Sequence, residues 1–290
     1  MKRRALLFVV ASVFAASRAD AADTSVGNGP PGESTDPPPV ESDAFIDRAM
    51  HRGWGGGPAR EFLALTLDAG YLYFRPRASL GYGKPFTSWV GIDANPVVSG
   101  AGLGAYAGVR LSLPGFDVRV GPRWFRAFQH AFLVPRSSFG RLDLDDTTRE
   151  RAMFTTYEAE ITSSIPAGPG EIVMLGSGSY VDGVPSGLLV FEETLRVVVD
   201  PPLVWRIRGG YQIRLGSSGQ HSVGLVADVL DVPKRDDSVT VRAGPVMRVV
   251  LSRAFEVRGS FVVTVSSPDR LGLVGGDFTE LGVRYRFATE

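Results

Sequence analysis

Glu280-Leu281-Gly282-Val283-Arg284-Tyr285-Arg286-Phe287 carries apolar side chains at 281, 283, 285 and 287, and small or charged ones at 280, 282, 284 and 286. A strand turns successive side chains to opposite faces, so the octet reads as a ribbon with one apolar and one charged side. Alone it would be an ordinary half-buried strand. Its meaning comes from repetition, because the same alternation runs through more than 200 residues upstream.

Working outward, Leu63, Leu65, Leu67, Ala69, Tyr71 and Tyr73 alternate with Ala64, Thr66, Asp68, Gly70 and Leu72. Phe86 to Asp93 makes a weaker strand. Leu103, Ala105, Ala107, Val109, Leu111 and Leu113 then oppose Gly102, Gly104, Tyr106, Gly108, Arg110 and Ser112. Past the Pro114-Gly115 turn, Phe116, Val118 and Val120 face away from Asp117 and Arg119, and the run reaches Phe128. Residues 129–150 are the longest irregular connection. Strands follow over Met153–Thr162, Ile172–Tyr180, Gly187–Val199, Leu203–Leu215, Val223–Leu230, Val239–Leu251, Phe255–Ser266 and Asp277–Phe287. They run roughly 9 to 14 residues, about what a tilted strand needs to cross a bilayer, and longer than the average strand of a soluble protein. No helix is expected after residue 60. The pattern predicts an all-β, antiparallel up-and-down transmembrane barrel. About 11 strands are clear, and the weak one makes 12; an even count is expected of such barrels, with 10 or 14 as alternatives.

Composition narrows the field. Formal charge is zero, so bulk electrostatics give no reason to expect a nucleic-acid partner. There is no cysteine, which excludes disulfides, thiol chemistry and Cys-ligated metal. Met1-Lys-Arg-Arg4 followed by the apolar run Ala5 to Ala16 and Ala19-Asp-Ala21 reads as a signal peptide over residues 1–21. Residues 22–59 read as a disordered linker rich in Pro, Gly and Ser, with a short helix over Ser42–Met50. The barrel would then occupy residues 60–290.

Which face meets what is decided by a magnitude. Arg196, Arg206, Arg208, Arg214, Arg242, Arg248, Arg258, Arg284 and Arg286 share one phase. An Arg on the lipid face near the midplane costs roughly 2 to 4 kcal/mol, and several would exceed the roughly 5 to 15 kcal/mol that holds a typical domain together. The charged phase therefore faces the lumen. Glu158, Glu160, Glu192, Asp228 and Glu256 share that side, along with Asp68 and Glu280. Two readings of this lumen stand open: compensating Arg–carboxylate pairs that stiffen a filled barrel, or a pore whose slight Arg excess favours anionic solutes. Aromatics near strand ends, among them Trp89, Trp124, Phe125, Tyr157, Tyr180, Trp205 and Tyr211, fit interfacial girdles.

Glu280, Gly282, Tyr285 and Phe287 fill the polar, glycine, aromatic and closing aromatic slots of the C-terminal assembly signal of bacterial outer-membrane β-barrels, which the octet resembles. Ala288-Thr289-Glu290 follow where that pattern usually stops at the Phe. Across roughly residues 60–290 the chain resembles porin-like outer-membrane barrels as a class. The resemblance implies a lipid bilayer as surroundings, Sec export through the periplasm, and insertion by the outer-membrane assembly machinery.

The residues offer little support for catalysis. His51, His130 and His221 are the only histidines. His221 beside Ser222 is poor geometry for a Ser–His pair, since strand neighbours point apart. Asp143, Asp145 and Asp146 lack the register of a calcium loop. Gly100-Ala-Gly-Leu-Gly104 is followed by a period of two and not by a phosphate-binding helix. No enzyme activity, cofactor or metal is expected. The expected function is a passive pore for small, polar or anionic solutes. The alternatives are a closed structural or receptor barrel, or a soluble secreted all-β binding protein.

Overall fold

In the computed structural model the described residues are 57–70, 73–144, 150–216, 219–278 and 281–289. The expected signal peptide, nearly all of the linker, and Tyr71, Asp145, Asp146 and Glu280 lie outside them. Fifteen strand segments and two short 3-10 turns follow one another: β1 (Arg60–Gly70), β2 (Tyr73–Lys84), β3 (Ser88–Ser99), β4 (Gly102–Leu113), β5 (Phe116–Ala131), β6 (Arg151–Ala167), β7 (Gly170–Asp182), β8 (Val190–Glu192), β9 (Val197–Val199), β10 (Leu203–Leu215), β11 (His221–Asp231), β12 (Thr240–Val250), β13 (Phe255–Ser260), β14 (Val263–Ser266) and β15 (Gly282–Ala288). All but β8 and β9 belong to one antiparallel sheet. It closes where β1 pairs with β15, from Ala64 opposite Ala288 to Gly70 opposite Gly282. Both β13 and β14 pair with β12, and they are two parts of one wall strand. The ladder falters between them opposite Pro245, which has no N–H to give. The result is a closed barrel of 12 strands.

The count agrees with the sequence reading, but two differences cancel inside it. Tyr73–Lys84 is a wall strand of 12 residues that the alternation did not reveal. Pro76, Gly81 and Gly83 thin its pattern, although Phe74, Ala78, Leu80 and Tyr82 do point outward and Arg75, Arg77 and Ser79 inward. In the other direction, Gly187–Val199 is not a wall strand. It folds as the β8–β9 hairpin, a separate two-stranded sheet.

Outside, the barrel presents the apolar phase. Leu80, Val109 and Leu225 are 61%, 61% and 67% exposed, a surface that belongs in hydrocarbon and not in water. Trp124, Phe128, Tyr157 and Tyr180 ring the outer surface toward one end, with the Tyr157 and Tyr180 rings 6.5 Å apart. Tyr82, Tyr211 and Phe287 sit toward the other. Trp89 and Phe125, expected in these girdles, point inward and are buried.

The two ends of the barrel differ. At the end that holds both termini of the barrel, strands are joined by the short stretches 85–87, 114–115, 168–169, 216–220 and 251–254. At the opposite end two residues separate β1 from β2 and β3 from β4, and four longer connections run over 132–150, 183–202, 232–239 and 267–281. Short turns on one side and longer loops on the other are the asymmetry of outer-membrane barrels.

Candidate functional site

The connection 183–202 turns back into the barrel. Its β8–β9 hairpin is buried, with Val190, Phe191, Val197, Val198 and Val199 at 2% exposure or less. One side packs on inward-facing Phe125, Ala127, Ala152, Phe154, Val181, Val204 and Leu230 of the wall. The other packs under Leu133, Phe139, Leu144 and Leu271 from the long connections. Those connections are clasped to each other: Arg235 grips the buried Asp269 through both carboxylate oxygens at 2.6 Å and lies over the Phe139 ring. The Phe139 N–H donates to Asp269 at 2.9 Å. Polar anchors hold the hairpin in register. Arg242, 1% exposed, donates to the carbonyls of Leu195 and Arg196 at 2.8 and 2.9 Å. Arg123 joins Glu158 of the wall to Glu192 of the hairpin at 2.9 and 3.1 Å, and also reaches Thr194. His130 meets Glu193 at 2.9 Å. Burial pushes the Glu192 carboxyl above its ordinary pKa despite the pull of Arg123.

Below the hairpin the inward phase turns charged. Asp228, wholly buried, and Asp277 share Arg206 and Arg208, with contacts at 2.6 to 2.7 Å. Glu256 receives Arg248, Arg258 and Arg286 at 3.0, 3.1 and 3.3 Å, with Arg284 at 3.6 Å. Asp68 takes Arg284 and Arg75. Arg110 bridges Asp93 and Asp117 at 3.1 and 2.8 Å, and Arg119 bridges Glu158 and Glu160 at 3.7 and 3.0 Å. Each of these carboxylates lies within ion-pair distance of at least one guanidinium group, which offsets the cost of burying its charge.

A cavity of about 330 Å³ remains in this zone. Arg75, Arg77, Arg110, Arg119, Arg206, Arg208, Arg248, Arg258, Arg284 and Arg286 line it, against the carboxylates Asp117, Glu160 and Asp277. The other acids sit behind the guanidinium groups. Thr162, Ser163, Ser164 and Thr194 give neutral hydroxyls, and Phe62, Phe86 and Trp89 an apolar edge near the short-turn end. Phe62 meets Trp89 edge-on at 5.5 Å. The surface offered to a solute is thus mostly hydrogen-bond donors with positive charge.

Of the residues expected to line the lumen, Arg206, Arg208, Arg248, Arg258, Arg284, Arg286 and Glu160 reach the cavity. Glu158, Asp228 and Glu256 face inward but stand behind their arginine partners. Arg214 pairs with Glu171 at 3.1 Å near the short-turn end. Glu192, Arg196 and Arg242 depart from the expectation. The first two ride on the hairpin, where Arg196 pairs with Glu193 at 3.4 Å and not across a wall strand. Arg242 seats the hairpin. Arg75, Arg77 and Asp277 were missed; the first two lie on the unrecognised strand. Gly282, Tyr285 and Phe287 of the expected assembly signal lie in β15, with both aromatics facing out.

His51 lies outside the described residues; of the other two histidines, His130 meets Glu193, and His221 Nδ1 accepts the Val250 N–H at 3.1 Å while Ser222 donates to Gln212 at 2.9 Å. Asp143 accepts from the Gly140 N–H and from Arg136.

No family model and no curated protein matches the sequence. Among solved structures the chain is similar to the NanC porin, at 10% identity over 79% of this chain and 98% of that one, with a TM-score of 0.34. It is also similar to a loop-deleted OmpT, an outer membrane protein of Vibrio cholerae, at 8% identity over 79% and 99% with a TM-score of 0.35. Pseudomonas aeruginosa OccK11 matches at 10% identity over 80% and 96%, with a TM-score of 0.24. At such identities and TM-scores the likenesses carry no argument about the solute. The fold itself is a closed, antiparallel β-barrel of 12 strands.

Proposed function

We propose that the barrel is a passive route across the outer membrane for small polar solutes, with anions favoured and the inward hairpin as its constriction. The supporting observation is the cavity wall, ten arginines against three carboxylates. A water-filled passage lined this way concentrates anions and repels cations. The short-turn end would face the periplasm, reached by Sec export behind residues 1–21. The closing strand, with Glu280, Gly282, Tyr285 and Phe287, would be what the assembly machinery reads. No enzymatic step is assigned.

A second reading has its own support. A hairpin buried on every side and locked by Arg242 and Arg123 is also what a closed structural or receptor barrel would carry. Planar-bilayer conductance of the refolded full chain under a salt gradient separates the two. The pore reading expects discrete channels with a reversal potential favouring anions, and conductance an order of magnitude higher when residues 189–198 are replaced by a Gly-Ser linker. Silence from inserted protein, with the linker variant silent as well, would establish the closed barrel.

A further inference from the structure

We infer that Arg77 and Arg286, on either side of Thr66, form a binding site for the carboxylate group of a solute in the wall of the lumen. This rests on the proposal above that solutes enter the lumen, and it names the group they present there.

The barrel itself supplies the template. Asp68 on β1 stands directly opposite Arg75 on β2 and Arg284 on β15. Both arginines close on it, Arg75 at 3.2 Å and Arg284 through two nitrogens, one of them at 3.0 Å. Two residues away along β1, on the same inward phase, Thr66 stands opposite Arg77 and Arg286. The second row therefore repeats the first, with an arginine on each flank, but holds a neutral hydroxyl where the first holds a carboxylate. Paired strands lie about 5 Å apart, so long arginine arms can reach over the strand between them in either row. Arg77, Thr66 and Arg286 all line the cavity of about 330 Å³, so the three share a space that a solute group can enter.

Charge favours the same filling. Among the described residues, Arg77 is the one cavity-lining arginine with no carboxylate in ion-pair contact, and its Nε is buried without an acceptor. The two carboxylates whose field reaches it are committed elsewhere, Asp68 to its own row and Asp93 to Arg110 and Ser79. Arg75 and Arg110 add like charge beside it. Arg286 holds Glu256 at 3.3 Å on the β13 side, yet its guanidinium is not drawn away from the row. It lies 5.7 Å from the ring of Phe86, in the turn that follows β2. An incoming carboxylate accepts from Arg77 and from the Thr66 hydroxyl, with Arg286 on its other flank. It then supplies the negative charge that Asp68 supplies one row away. A cation would meet two guanidinium groups.

The test is calorimetric titration of the refolded full chain in detergent with acetate and, separately, inorganic phosphate. Each variant is first checked for its folded, heat-modifiable form. Wild type binds acetate. Arg77→Gln weakens that binding at least ~10-fold, as expected for loss of a charge-assisted hydrogen bond, and Arg77→Lys retains part. Thr66→Asp copies the Asp68 row, fills the site from within and abolishes binding, while Thr66→Ser keeps the hydroxyl and the binding. No heat with acetate, heat with phosphate alone, or either Arg77→Gln or Thr66→Asp binding acetate as tightly as wild type, overturns the inference. Conductance run in parallel keeps the two readings apart. Arg77-dependent binding without channels removes the pore and leaves the site, whereas channels without such binding do the reverse.

Discussion

The two halves of the lumen are built from the same twelve strands and filled in opposite ways. Toward the long loops, inward side chains such as Phe125, Phe154, Val181 and Leu230 are apolar and meet a hairpin that is apolar too. A few residues along the same strands, Arg119, Glu160, Arg208 and Asp228 face one another as ions. The apolar half is a hydrophobic core assembled inside a barrel, stabilised by removing surface from water. The charged half has little such stabilisation and depends on the pairing of its buried carboxylates with arginines. One half is filled by packing, the other by ion pairs around a cavity. The comparison teaches that the barrel is filled toward its long loops by a folded hairpin and not by a narrowing of the wall.

The strongest way to break this comparison is to spoil the charged half. Glu256→Gln leaves Arg248, Arg258, Arg284 and Arg286 crowded around a neutral amide. Removing one side of a buried ion cluster should destabilise the barrel by about 3 to 5 kcal/mol, read from equilibrium unfolding in vesicles. A loss below about 1 kcal/mol would mean the cluster is solvated like a surface ion pair.

A comparable loss confined to the apolar half comes from Phe191→Ala. Truncating this fully buried ring should cost about 3 to 5 kcal/mol. Because the ring belongs to the hairpin and not to the wall, the loss should appear chiefly as longer and more frequent open states in single-channel records, with less change in barrel unfolding. If wall and plug fail together, the two halves are one cooperative unit.

The smallest effect expected is with pH. Burial raises the pKa of Glu192 in the folded barrel. A carboxyl raised in the folded state contributes stability below its unfolded value, and loses it as pH rises through the raised one. The hairpin should thus sit most firmly in acid and loosen toward neutrality. Wild-type conductance should rise with pH across that window, and Glu192→Gln should flatten the rise. A fall in conductance with pH would reverse the assignment.

Much of the wall could be read directly. Alternation of period two survives wherever lipid lies on one side and ions on the other, as in β10, where Ile207 and Tyr211 face out and Arg206 and Arg208 face in. It misleads in the hairpin: Glu192 and Arg196 share one phase, so Gly187–Val199 reads as a wall strand, although its apolar residues pack between the wall and the long connections. It fails in Tyr73–Lys84, where Pro76 and two glycines interrupt the pattern. Losing one strand and gaining another left the total at 12 for reasons the sequence could not reveal.

By itself the sequence determined the closed antiparallel barrel and the face that carries charge, because placing so many arginines against lipid is forbidden energetically. Only the tertiary structure decided which ions pair and that a connection folds back into one end of the barrel. Those outcomes depend on strand register and on contacts between residues far apart in the chain, such as Asp68 with Arg284 or Arg242 with Leu195. Local alternation specifies which way a side chain points, but not what it meets there.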